Sequence, residues 1–372
     1  MFTQSMFNNN TLTTPYTVFV TIILVILLSS HAVAQPFLDQ SQTRFNSENA
    51  SQTSEKLTGW SFSFDNDFLV PGQRDQDYTY GINVRLIGKK TESHWSSLHT
   101  PLNAIDNVLR FNQPHYEHTL SSIEFGLFGF TPETLSESRV IAGDRPYASL
   151  LYGRSTKERT NKKTGNVINS SLTVGVIGAG VVEQLQKKLH RVIDSEEPLG
   201  WGNQISDGGE LTAKYALSQQ QLLTQPSNNI EVKQTMQATL GYITELSYSI
   251  GLRAGRLASP WKSFNPELTS YGEGASPSKN IRFVAEQYFW AGLSVKARAY
   301  NAFLQGQFRD SALTYDRDEL HTGILEAWVG YTLSLKNGYS FNYSLRGHTS
   351  ELKNGVGDRS VIWGGLRMTK RF

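Results

Sequence analysis

Three short patches carry groups that could do hydrolytic chemistry together: Asn66 and Asp67 in FDNDF, Thr79 in DYTYG, and His190 with Glu196 in LHRVIDSEE. An amide, a carboxylate, a hydroxyl, an imidazole and a second carboxylate can hold a metal ion and activate a water beside it. Oxygen donors of this kind suit a hard cation such as Ca2+, which takes carboxylate, amide and carbonyl oxygens at about 2.3–2.6 Å. His190 would then act as general base, because an imidazole titrates near neutrality. The cation would steady the oxyanion as an ester carbonyl becomes tetrahedral. Other hydrolytic designs lack their residues: the chain has no G-x-S-x-G elbow, no cysteine and no H-E-x-x-H.

Taken singly, each group has a plainer explanation. His190 sits at the edge of a helical apolar stripe, where a boundary histidine is ordinary. Glu196 lies in an acidic turn, and Asn66–Asp67, just ahead of Pro71-Gly72, could form only an Asx-type turn. The case for a site rests on their convergence, and convergence depends on the elements that carry them.

Those elements read as strands. From Tyr78 to Leu86 every even position is apolar or aromatic, while the odd ones are Thr, Gly, Asn and Arg. Alternation with a period of two marks a sheet with one apolar and one polar face. Segments of this kind occur near 60–66, 78–88, 119–129, 146–156, 168–178, 210–216, 232–240, 246–255, 287–300, 321–334, 339–350 and 360–372. Twelve is an even number, as closure of an antiparallel bacterial barrel requires. The expectation is an all-β, twelve-stranded antiparallel transmembrane β-barrel.

Alternation also sets a geometric condition. Phe62 and Phe64 point outward, which puts Asp65 and Asp67 on the polar, inward side, and the same count turns Thr79 inward. Asn66 would face outward, so a joint site needs a bulge or turn there. One segment departs from strand period: Val181 to Ile193 carries Val182, Leu185, Leu189, Val192 and Ile193 at helical spacing. This short α-helix, inserted after the fifth strand, could lie on the rim, plug the lumen or rest at the headgroups. The stretches around 89–118 and 256–280 read as extracellular loops.

Composition agrees with an exported membrane barrel. Cysteine is absent, so no disulfide framework supports the fold. Aromatic residues make up 11% and Gly is frequent, while no long apolar run follows Leu28, so the mature chain has no membrane-spanning helix. The net charge of +2, with both signs interspersed, gives no basic stripe for nucleic acid. At the start, the apolar run Val18–Leu28 precedes Ala32 and Ala34 in an A-x-A arrangement, though no Lys or Arg comes before it. The pattern predicts a signal peptide over 1–34 cleaved after Ala34, a polar flexible leader over 35–56, and the barrel over 57–372.

Several ordered blocks resemble one family. FDNDF with DYTYG, GDRPYASLLYG (143–153), EQLQKKLHRVIDSEEPLGWGNQ and NAFLQG (301–306) make the chain similar to the lipid A 3′-O-deacylases, the LpxR-like outer-membrane proteins. The resemblance implies a twelve-stranded barrel in the outer membrane of a Gram-negative cell. It also implies Ca2+-dependent hydrolysis of the ester that holds the 3′-acyloxyacyl group of lipid A. Carried over, Asn66, Asp67, Thr79, His190 and Glu196 form the catalytic set, with His190 as base and Asp67 and Glu196 as carboxylates for the metal. The family's loop lysine for the oxyanion has no Lys counterpart between Thr131 and Ala142, where Arg139 is the only cation; either Arg139 substitutes or the metal acts without that help. Asp144 and Arg145 are expected to pair at a strand start and support the site. The substrate partner implied is lipid A or lipopolysaccharide, with no nucleic acid and no protein partner. Two alternatives stand beside it: an inactive barrel serving as pore or scaffold, and a related outer-membrane phospholipase or esterase.

Overall fold

The computed structural model describes residues 57–70, 76–193, 196–274 and 285–372. The expected signal peptide (1–34) and leader (35–56) lie outside the described residues.

Twelve strands form in the expected order: β1 (Gly59–Asn66), β2 (Asp77–Ile87), β3 (Tyr116–Thr131), β4 (Ala148–Asn161), β5 (Val167–Ile177), β6 (Glu210–Ser227), β7 (Ile230–Gly241), β8 (Ile243–Arg256), β9 (Glu286–Asn301), β10 (Gly323–Ser334), β11 (Tyr339–His348) and β12 (Val361–Arg371). Each pairs antiparallel with its chain neighbours, and β1 also pairs with β12, Phe62 opposite Met368, which closes the sheet. Closure matters in lipid, because an open edge would leave N–H and C=O groups with no partner. The largest departure from the expected bounds is β6, which runs well beyond 216. Its extension, Leu217 to Ser227, is mostly polar on both faces and carries no alternation to read.

Burial follows the alternation. Phe62, Val84, Phe125, Leu151, Val174 and Leu252 are exposed on the outer wall, while Ser61, Ser63, Asn83, Arg85, Glu124 and Arg154 are buried inside. No helix among the described residues is long and apolar enough to cross a membrane.

Polar side chains and inward-folded connections occupy much of the lumen. Ion pairs line it, including Arg159–Asp106, Lys214–Glu273 and Arg253–Glu231, each at 2.6 Å, with Arg85–Glu124 and Arg346–Glu326. Buried charges persist only when paired and hydrogen-bonded, so these contacts hold neighbouring strands in register (Arg85–Glu124, Arg253–Glu231, Arg346–Glu326) and tie inward-folded connections to the wall (Arg159–Asp106, Lys214–Glu273). Two connections enter from the end where the chain begins and ends its barrel. One holds α1 (His99–Val108), whose Asp106 accepts hydrogen bonds from Arg159, Ser170 and Tyr215. The other, between β8 and β9, brings Tyr271 against His348 and Trp363, and Glu273 against Lys214. These are the segments around 89–118 and 256–280 whose length and Gly, Asn and Ser content suggested extracellular loops. Their described residues instead lie at the end opposite the helical insert and fold inward, with α1 in the first and Tyr271 and Glu273 in the second. From the far end, Phe303 of the short helix α3 (Ala302–Gln305) completes an aromatic plug with Phe128, Phe130 and Tyr242. The helix that follows β5 is α2 (Val181–Ile193).

Candidate active site

The chain leaves β1 at Asn66, which is both the last strand residue and the cap of a 3-10 turn, Asp67–Leu69. Its amide oxygen accepts the N–H of Phe68 at 2.7 Å, the capping role that Asn favours. Its amide nitrogen donates to the Thr79 carbonyl at 2.6 Å. Asn66 is thereby buried, with both ends of its amide used. Asp67 is also buried, and its Oδ2 accepts the N–H of Gln76 at 2.6 Å.

Thr79 is where the expected faces change. The register between β2 and β3 slips between Tyr78 and Tyr80, so Thr79 is the extra residue of a β-bulge. Before the slip, Tyr78 faces the lumen and packs on Trp363 and Phe130. After it, Tyr80 shares the outer face with Ile82 and Val84. Thr79 turns outward with its hydroxyl 2.6 Å from that of Thr131, beside Asn66. One expectation is corrected and another is met. Thr79 does not face inward; the turn required at Asn66 is present, with Asn66 keeping its outward place opposite Tyr80, and a bulge in the second strand is also needed to bring Thr79 to that side.

On that outer wall lies α2. Gly178, with a φ of 73°, turns the chain out of β5; a side chain there would collide with the Ser206 carbonyl. The helix then packs against β3 and β4. Val182 meets Tyr80, Leu135, Tyr147 and Trp201, and the Tyr80 hydroxyl donates to the Val182 carbonyl. Trp201, fully buried, donates its indole N–H to Gln186 at 2.8 Å. Gly129 lets the helix come this close, because a Cβ there would sit 3.0 Å from Val182 and 3.3 Å from Trp201. Val182, Gln186 and His190 are spaced four apart and therefore share one helix face. That face is the one docked on the wall at Tyr80, the register partner of Asn66.

His190 is buried, and its Nδ1 lies 2.5 Å from the main-chain carbonyl of Glu196. A carbonyl can only accept, so Nδ1 donates here, and in the neutral ring the basic nitrogen is Nε2. Glu196 therefore reaches the ring through its backbone, while its side chain is exposed. Arg139, on the connection after β3, is also exposed and pairs with Glu137 at 3.3 Å.

Asp144 and Arg145 do not pair side chain to side chain. The Asp144 carboxylate accepts the N–H groups of Arg145 and Glu133 and meets Arg359 at 2.8 Å. The Arg145 guanidinium goes to Glu351 and lies 3.6 Å from Asp77. Residues that sequence reasoning passed over include Tyr80, Thr131, Gln186 and Trp201. Only Tyr80 carried a signal, as an even, outward position in β2.

The oxygens at this corner come from a carboxylate, an amide, a hydroxyl and the main chain. Among the described residues, no three His, Asp or Glu side chains gather into a metal-binding group. A cation here would draw on amide, carbonyl or water oxygens beside the Asp67 carboxylate, which is coordination of the hard-cation type and fits calcium.

Comparisons with known proteins bear on the fold and the family. No curated protein sequence matches the chain. Among solved structures, LpxR from Salmonella typhimurium matches with a TM-score of 0.63 and 19% identity, over 85% of this chain and 100% of that one. Two other barrels match more loosely, each with a TM-score of 0.40. One is the beta domain of the Bordetella autotransporter BrkA, at 10% identity over 85% and 98% of the two chains; the other is an outer membrane channel from Pseudomonas putida, at 9% over 88% and 100%. The family model described as Outer membrane protein LpxR matches residues 20–372. This closed twelve-stranded barrel, with a buried histidine docked on its outer wall, belongs to the LpxR family of outer-membrane proteins.

Proposed function

We propose that the protein is a lipid A deacylase that hydrolyses the ester of the 3′-acyloxyacyl group, with His190 as general base. The observation that carries this reading is the fixed tautomer of a buried imidazole. Nδ1–H is held by the Glu196 carbonyl, so in the neutral ring Nε2 is the basic nitrogen. Water gives a proton to Nε2 as its oxygen attacks the ester carbon. The carbon–oxygen bond to the sugar then breaks, the sugar oxygen receives the proton from Nε2, and the acyl group leaves as a carboxylic acid.

Asn66 and Thr79 hold each other through the amide–carbonyl bond and keep this wall corner rigid. Asp67 and Glu196 would hold calcium, Glu196 by turning its exposed carboxylate inward. When bound, calcium supplies positive charge for the developing oxyanion. Arg139 is the loop cation proposed to assist there. An outer-wall site suits a substrate whose acyl chains stay in the membrane, since no chain has to enter the barrel.

Mass spectrometry of lipid A tests the reading, comparing cells with and without the protein in millimolar Ca2+. Loss of one acyloxyacyl group is expected, abolished by EGTA and by His190→Ala or Asp67→Ala. An unchanged lipid A profile would overturn it. If lysophospholipid accumulates instead, the protein is a phospholipase; if neither lipid changes, it is an inactive barrel.

A further inference from the structure

Asp77 is the only described residue in the β1–β2 connection and β2 that takes a positive φ, 67°, without being glycine. It stands two residues before the bulged Thr79. Such a backbone conformation is sparsely populated and persists when surroundings over-determine it. Here they do. The Asp77 carboxylate accepts Nε–H of Arg359 at 2.9 Å and lies 3.6 Å from Nε of Arg145. Arg359 comes from the β11–β12 connection and also meets Asp144 at 2.8 Å and Glu133 at 3.5 Å. Arg145 meets Glu351, which in turn holds Arg298 and Asn301 of β9. The Arg145 guanidinium sits 4.9 Å over the ring of Phe130, the register partner of Tyr78. Two connections at this end of the barrel, β3–β4 and β11–β12, are thus tied to one carboxylate at the start of β2, with the end of β9 joined to them through Glu351.

We propose that Asp77 is a positioning residue: clamped by Arg359 and Arg145, it holds β2 in the bulged path that turns Thr79 to the outer wall and brings its carbonyl to Asn66. This rests on the deacylase reading only for its kinetic consequence; the backbone consequence stands by itself. Asp67 and His190 bring the reacting groups, whereas Asp77 touches none of them and acts through the strand.

Two readouts on the full-length protein test this. In the first, Asp77→Ala should lower kcat for lipid A at least tenfold and leave KM within about twofold. Asp77→Asn accepts the same N–H and tolerates positive φ, so it should keep kcat within about threefold. Heat-modifiable migration in gels reports that each barrel is intact. In the second, hydrogen–deuterium exchange of the peptide covering 76–81 should quicken in Asp77→Ala and Asp77→Gly but not in Asp77→Asn. Slow exchange and full kcat in Asp77→Ala would overturn the proposal, as would wild-type exchange in Asp77→Gly, which would leave only the φ angle to matter. If the unaltered protein cleaves no lipid A, the deacylase reading fails, and the exchange experiment still decides the role of Asp77.

Discussion

The hydroxyl pair Thr79–Thr131 and the amide of Asn66 share a buried corner where every polar atom has to be matched. Removing one partner there leaves the other desolvated, which costs about 1–3 kcal/mol against roughly 1 kcal/mol for the bond itself. Thr131→Val keeps the shape and deletes only the hydroxyl, 2.6 Å from that of Thr79. It should destabilise the barrel by no more than about 2 kcal/mol, and it should slow deacylation about fivefold by freeing the Thr79 side chain. A kinetic assay beside a thermal gel-shift series checks both halves; a loss of stability with no change in rate would detach Thr131 from the site. The types of these residues were legible in the sequence, because amide, acid, hydroxyl and imidazole are rare needs for a barrel wall. Their faces were not. Counting by twos is correct until a bulge adds one residue, and nothing in DYTYG marks Thr79 as that residue. Thr131 was invisible for a similar reason, since its partner is 52 positions away.

At the scale of elements, the decisive contact is a helix seated on the outside of a sheet. Its period of 3.6 was plain in the sequence, and so was its apolar stripe. Which surface the stripe would cover was not, since rim, lumen and headgroup region all offer an apolar or amphipathic neighbour. The answer lies in residues far along the chain: Gly129 opens the space, Tyr80 caps the Val182 carbonyl, and Trp201 closes over Gln186. Gly129→Val should therefore push the helix off the wall, because overpacking of this kind typically costs about 1–3 kcal/mol. The barrel strands do not depend on that contact. The expected result is a folded barrel, normal in heat-modifiable migration, with deacylation lowered at least tenfold and faster proteolysis within 181–201. Should the variant retain full activity, His190 would not need the docked helix to do its work.

Across the whole molecule, the closed barrel was the most legible level, because twelve alternating segments leave few other ways to satisfy their backbones in lipid. The misread connections show where length stops being a guide. Polar stretches of similar size serve as loops at one end and as plugs at the other, and the difference lies in the charges they meet inside. Glu273 is the clearest example: it accepts from Lys214 at 2.6 Å and from Tyr242, with Arg154 at 3.7 Å. Breaking a buried pair by deleting one partner costs about 3–5 kcal/mol, since the remaining charge is left uncompensated. Glu273→Ala strands two cations at once, and water is the ligand that can rescue them. The unaltered protein should thus show no steady conductance in a planar bilayer, with Tyr271, Phe128, Phe130 and Phe303 packed across its lumen. The variant should unfold at lower temperature and admit small currents that favour anions, because the exposed Lys214 and Arg154 would line the path. Steady, cation-selective conductance from the unaltered protein would mean that the plug opens in the membrane, and would restore the pore as its working state.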